Sequence, residues 1–358
     1  MKTASSGAVL ALLLASACHA QCPADLNADG TVDGTDLGTL LGSRGDCECC
    51  DHDLTRDGFV AGDDLGQMLA SWGPCAAGSV GGPRVPQWAT LVRALPDPAV
   101  VTCDVLRAYI EDSGWAWAVR DNVSGIEMLL VPWGRFDMGC SASSVSPCAG
   151  HESPVRLVTL TREFYIGRCE VTQSQWVSVM GTPNPSFFQS PSWEVPAEQV
   201  PNRPVECVNW AAVQSFLGIT GLRLPTEAEW EFACRAGTRT PFNNGTSSGS
   251  FYDVVDIAWY QPSGGTQTHP VGGKLPNRLG LHDMHGNVAE WVADWYSPTY
   301  YADGPSVDPA GPATGTHRIV RGGSWDAGLT GDMRSSARRW EDASDGINSW
   351  GFRVARTP

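Results

Sequence analysis

Residues 283–296, DMHGNVAEWVADWY, and residues 318–326, RIVRGGSWD, decide the fold. In the first stretch Asp283 and Glu290 bracket a turn containing Gly286, whose main-chain carbonyls can face inward. Oxygen ligands on a bent backbone suit calcium. The same groups also serve to cap and hydrogen-bond a turn without any metal.

Working outward, IEMLLVPWGRFDMG (126–139) predicts a strand with a tight turn, followed by HESP (151–154) and an alternating strand, VRLVTLTREFYIG (155–167). In EVTQSQWVSVMG (170–181), Thr172 and Gln175 form a capping box that opens a short helix. Asn209 caps a helix over 210–217. In RLPTEAEWEFACRAG (223–237), Thr226 and Glu229 repeat the box and Gly237 closes the helix. WGFRVAR (350–356) ends the series. Ahead of it, AAGSVGGPRVP (76–86) has the composition of a linker. Trp88, Leu91 and Leu95 fall at helical spacing within 87–120, and Leu106, Tyr109 and Ile110 predict a second short helix.

Taken together and in this order, the segments over residues 122–358 resemble the formylglycine-generating enzymes, the sulfatase-modifying factor family. The resemblance implies an α+β, C-type-lectin-like fold with little regular secondary structure, in which Trp176, Trp210, Trp230, Trp291 and Trp295 fill the core. It implies a structural calcium held by the Asp283 and Glu290 side chains and the Gly286 and Val288 carbonyls. In the family, two cysteines five residues apart follow the Gly-Gly-Ser-Trp run, bind copper(I) and oxidise a substrate cysteine to formylglycine. Those positions are Ala327 and Asp332 here, and no cysteine follows Cys234. Copper(I) is soft and needs thiolates, so the family's oxidase chemistry is not expected. The expectation is a binding or accessory module; the alternative is an oxidoreductase of the same family using other residues or another metal. Arg334, Arg338, Arg339 and Arg353, with Asp326 and Asp332, form either salt bridges or a pocket for a peptide, sugar or anion. His269, His282 and His285 are weighed as an iron site, but the family's iron enzymes take their histidines from an added helical domain that this chain lacks.

The N-terminal part repeats itself. DLNADGTVDGTDLGTLL from Asp25 matches DLTRDGFVAGDDLGQML from Asp53 at an offset of 28 residues. Acidic or polar groups at alternate loop positions, with glycine at the sixth, make EF-hand-type calcium loops. The first would use Asp25, Asn27, Asp29, Asp33 and Asp36 with the Thr31 carbonyl. The second would use Asp53, Thr55, Asp57 and Asp64 with the Phe59 carbonyl, and is weaker because Ala61 stands where Asp33 does. Each loop precedes a short helix (Leu37, Leu40, Leu41; Leu65, Met68, Leu69). Such pairs resemble dockerin domains, which dock onto cohesin-type partners or neighbouring domains.

The net charge of −15 is concentrated there: residues 21–75 hold eleven acids against Arg44 and Arg56. That balance repels nucleic acid and anionic membranes and suits hard cations. Lys2 and the apolar run at 8–17, ending Ala-Cys-His-Ala, predict an export signal over 1–20, with Cys18 as an alternative acylation site. The run is too short to span a membrane. In an exported chain of twelve cysteines disulfides are expected, Cys140–Cys148 first among them, with Cys169, Cys207 and Cys234 as core residues. The organisation is then a signal (1–20), paired calcium loops (21–75), a connector (76–121) and the larger domain (122–358).

Overall fold

The computed structural model describes residues 24–27, 29–46, 53–54, 59–74, 82–140, 148–192, 195–247, 250–328 and 330–358. The expected signal, Thr55 and Asp57 of the second loop, and Cys22, Cys47, Cys49, Cys50 and Cys75 lie outside the described residues.

The two repeats build matching halves. Helices α1 (Gly34–Gly42) and α2 (Gly62–Ala70) follow the two loops. Two-residue strands cross between the halves, Thr31–Val32 pairing with Gly73–Pro74 and Gly45–Asp46 with Phe59–Val60. Val32 and Val60, and Leu40 and Met68, occupy equivalent places and meet in one small core with Ala24 and Leu54. Leu41 and Leu69 stay at the surface. Asp33 caps α1 by accepting from Thr35, whereas Ala61 offers α2 no side-chain cap.

Two sheets organise the rest. Strands β1 (Ala89–Arg93), β2 (Ala118–Asp121), β3 (Glu127–Val131), β6 (Phe164–Gly167) and β11 (Ala355–Arg356) form an antiparallel sheet in the order β11-β6-β3-β2-β1. Helix α3 (Asp104–Asp112) sits between β1 and β2 in sequence. A hairpin of β4 (Gly134–Met138) and β5 (Arg156–Leu160) stands apart. Strands β7 (Ala289–Trp295), β8 (His317–Arg321), β9 (Arg338–Asp342) and β10 (Trp350–Phe352) form the second sheet, with β7 central and parallel to β10. Between the sheets run α4 (Gln173–Met180), α5 (Trp210–Thr220) and α6 (Glu227–Arg235), each opened by the expected cap: Thr172 with Gln175, Asn209, and Thr226 with Glu229. Ala236, in a left-handed conformation just ahead of Gly237, ends α6.

Three expectations change. The stretch with helical spacing around Leu91 is the edge strand β1, because its main chain pairs with β2. Leu91 and Leu95 are consequently about half exposed. The single alternating strand at 155–167 is two strands, β5 and β6, which serve different sheets. Of the five tryptophans, Trp176, Trp230 and Trp291 are buried, but Trp210 and Trp295 are half-buried and clasp the Arg318 guanidinium at 3.9 and 3.4 Å. Such a clasp is a cation–π contact with a polar end left in water. The core itself stacks Trp176 on Phe216 (5.6 Å) with Phe352 edge-on to both. Cys140–Cys148 is bonded, with Cα atoms 5.9 Å apart; Cys169, Cys207 and Cys234 are free thiols, Cys234 buried and the others partly so.

Candidate functional site

Strand β8 delivers the Gly-Gly-Ser-Trp segment. Gly322 and Gly323 have φ of +93° and +70°, and a Cβ on Gly323 would lie 2.6 Å from Met333 Cγ. Only glycine fits that approach. Trp325 is fixed by its N–H donating to the Asn287 carbonyl (2.9 Å) and its ring Nε1–H to that of Asn348 (3.0 Å). Ala327 is buried in an apolar cluster with Phe242, Val254, Ile257, Ala258, Tyr260 and Met333. Asp332 lies at the surface, paired with Arg339 at 3.0 Å. Beneath them Cys234 Sγ stands 3.5 Å from Ser335 Oγ and 3.8 Å from His285 Nε2. Burial pushes the Cys234 thiol up to about 12 and His285 down to about 4. At neutral pH both are therefore uncharged, and no thiolate is available as a nucleophile or soft ligand.

A second centre forms where the two sheets meet. Arg353 lies between β10 and β11, and its buried guanidinium donates twice to the Glu290 carboxylate (2.6 Å each) on β7. Trp230 Nε1–H donates to the same carboxylate at 2.7 Å. The Glu290 side chain, expected as a metal ligand, is thus held by Arg353 and Trp230. Asp283, at φ +55°, accepts the Gly272 N–H on Oδ2 (2.6 Å), while its Oδ1 has no hydrogen-bond partner. Beside it stands Glu170, 2% exposed, with neither carboxylate oxygen partnered. Burial, and then the charges of Asp283 and Glu290, push Glu170 well above the carboxylate range; burial raises Asp283 to about 6. Three buried carboxyl groups thus face one guanidinium. Uncompensated buried charge is costly, so the centre calls for a further cation or for protons. A cavity of about 300 Å³ reaches it, lined by Glu127, Arg168, Cys169, Glu170, Gln175 and His282 among others. Sequence reasoning did not single out Glu170; the signal was an acid two residues ahead of the helix cap Thr172.

In the first N-terminal loop, Asp25 is buried and accepts from the Asp29 and Gly30 N–H groups at 3.1 and 2.8 Å. Buried Asp36 accepts from Leu26, Asn27 and Asp33 (2.7, 3.1 and 2.8 Å). Gly30 has φ +92°, the turn expected at the sixth position. Asn27, Asp29 and Asp33 complete the ring of polar groups around the loop, with Asp29 also bonding Thr31 N–H. In the second loop Asp53 and Asp64 are buried, and Asp64 accepts the Ala61 N–H at 2.7 Å.

The arginines do not form an open anion pocket. Arg334, Arg338 and Arg353 are buried on Glu152, Glu227 and Glu290, each at 2.6 Å. The three histidines stay separate: His269 bonds the Gly264 carbonyl, His282 that of Lys274 and His285 that of Met333. Among the described residues no three His, Cys, Asp or Glu side chains are grouped to hold a metal on their own, and no helix is long and apolar enough to cross a membrane.

Comparison with known proteins covers this C-terminal part. The family model described as the sulfatase-modifying factor enzyme 1-like domain matches residues 116–358. The formylglycine-generating enzyme of Streptomyces coelicolor is 31% identical over 63% of this chain and 87% of its own length. That of Thermomonospora curvata is 32% identical over 64% and 93%. A Paenibacillus barcinonensis protein named chaperone protein LppX is 34% identical over 56% and 78%. Among solved structures, Treponema denticola variable protein 1 (TM-score 0.57, 30% identity, 65% of this chain and 95% of that one) and PvdO from Pseudomonas aeruginosa (0.57, 30%, 67% and 98%) share the fold.

Proposed function

Because the chain belongs to the sulfatase-modifying factor enzyme 1-like family, we propose that it is an exported, calcium-stabilised binding or accessory member of that family without the copper oxidase chemistry. The observation that carries this reading is the surroundings of Ala327 and Asp332. The first is packed among aromatic and aliphatic side chains and the second is spent on Arg339. Neither supplies the soft sulfur ligand that copper(I) requires. Cys234, which contacts Ser335 and His285, is buried and protonated. A non-oxidase role also accords with a relative that is named a chaperone protein. On a C-type-lectin-like scaffold, the ligand of such a module is a peptide or a sugar.

Calcium is assigned to two places. At the sheet junction, Asp283 Oδ1 and the Glu170 carboxylate supply hard oxygens lacking any other partner, and the Gly286 and Val288 carbonyls complete the donor set. Glu290 then acts from behind, fixed by Arg353. Calcium accepts such mixtures of carboxylate, carbonyl and water. In the N-terminal unit the buried Asp25 and Asp36, with Asn27, Asp29, Asp33 and the Thr31 carbonyl, form the first loop site, and Asp53 to Asp64 the second. The paired loops make this unit dockerin-like, open to a cohesin-type partner.

The test is direct. The purified protein is incubated with copper, oxygen and a cysteine-containing sulfatase-type peptide, and the peptide is analysed by mass spectrometry. The expected outcome is an unchanged peptide; an aldehyde at the cysteine overturns the reading in favour of an oxidase.

A further inference from the structure

The second N-terminal loop is gripped at both ends, by helix α3, which lies in sequence between two strands of the first sheet, and by strand β4. Tyr109, near the end of α3 and only 8% exposed, donates its phenolic O–H to the main-chain carbonyl of Asp53, the loop's first residue. Arg135, on β4, pairs with Asp63, the loop's eleventh residue, at 3.3 Å. The gripped loop is also the one whose helix lacks an N-cap side chain, Ala61 standing where the first repeat has Asp33.

We propose that the second loop is a docking surface for this chain's own C-terminal domain, so that the repeat unit and that domain form one cooperative body instead of a module on a tether. The inference rests on the contacts of Tyr109 and Arg135 and is independent of the assignments of calcium and of a silent oxidase site. A buried phenol that donates to a main-chain carbonyl fixes the backbone whatever the loop side chains do. The guanidinium at the other end sets the loop's orientation. Leu41 and Leu69, which hold the same place in the two repeats, remain 46% and 54% exposed.

The experiment uses the intact chain. Small-angle scattering of the wild type is expected to give one compact particle, with a radius of gyration of about 20 Å from the size scaling of single domains. A distance distribution with a second maximum, the mark of two bodies on a tether, overturns the proposal. Calorimetry of Tyr109→Phe/Arg135→Gln then tests the contacts. Either a split of the single transition into two or a drop of a few degrees in the common one supports coupling. A melting profile identical to the wild type overturns it. Scattering of the wild type decides the matter even if the double variant fails to fold.

Discussion

Glu170→Gln separates the two ways in which the buried carboxyl cluster can be balanced. Without a cation, burial and then the Asp283 and Glu290 charges push Glu170 towards its protonated form. Glutamine has nearly the shape of that protonated acid, so the variant should match the wild type in chelator to within about 1 kcal/mol, the size of a typical net hydrogen-bond difference. With calcium, the wild type gains RT ln(1 + [L]/Kd), about 2.7 kcal/mol at a hundredfold excess over Kd. For a domain of this size each kcal/mol moves the melting temperature by about 2–4 °C, so calcium should raise it by about 5–11 °C. The variant replaces one of the three unpartnered oxygens with an amide nitrogen and removes the charge, so this centre should contribute only a small part of that rise. Calcium at the N-terminal loops adds the same rise to both proteins, so the difference between the two shifts reads this centre; tryptophan fluorescence follows it, since Trp72 is the only one of the fifteen tryptophans before residue 88. An equal calcium shift in Glu170→Gln and wild type would refute the assignment of the cation to this centre. A large destabilisation in chelator would refute the protonated state from which the argument starts.

Three further outcomes follow from geometry. Gly323→Ala sets a Cβ at positive φ and 2.6 Å from Met333 Cγ; left-handed strain and overpacking together should cost about 2–5 kcal/mol in urea unfolding. Arg353→Met leaves Glu290 buried without its partner, and the loss should be about 3–5 kcal/mol by the same assay. Glu152 gives a pH signature. Burial alone would raise its pKa, but Arg334, with help from the Ala149 N–H and the Ser336 hydroxyl, holds it below its ordinary value of 4.5. The folded state thus binds fewer protons than the unfolded one, so this stabilisation is present above pH 4.5 and is lost as the pH falls through the depressed value. Glu152→Gln should be less stable than wild type at pH 7, with the two melting curves converging in acid.

What could be read in the sequence was what is decided locally. The boxes of Thr172 with Gln175 and of Thr226 with Glu229 form because donor and acceptor lie within one helical turn, and the Gly30 turn is settled within one loop. The Cys140–Cys148 bridge spans a separation of only eight residues. Where distant segments choose, sequence reasoning failed. Leu91 has helical neighbours in the chain, yet its main chain is claimed by β2. The 155–167 run alternates throughout, and nothing in the alternation says that β5 and β6 leave for different partners. At the sheet junction nothing in the sequence says that Glu290 also accepts from Arg353. Its commitment to Arg353 depends on β10 lying parallel to β7, and the availability of Glu170 depends on the same event.

This dependence also says what the family relationship carries. The Gly-Gly-Ser-Trp turn survives because Gly322, Gly323 and Trp325 are demanded by packing and main-chain bonds that any protein with this scaffold must satisfy. Ala327 and Asp332 meet no such demand: a small apolar side chain fits the Phe242–Met333 cluster, and a carboxylate at the surface finds Arg339. A scaffold can therefore keep such a turn while neighbouring positions take residues that suit only their immediate surroundings. The carboxyl centre behaves in the opposite way. Glu170, Asp283, Glu290 and Arg353 are buried together, and removing Arg353, the one guanidinium among three carboxyl groups, leaves Glu290 without its ion-pair partner. Dependence on that one guanidinium makes the centre part of the scaffold, whatever chemistry the domain carries.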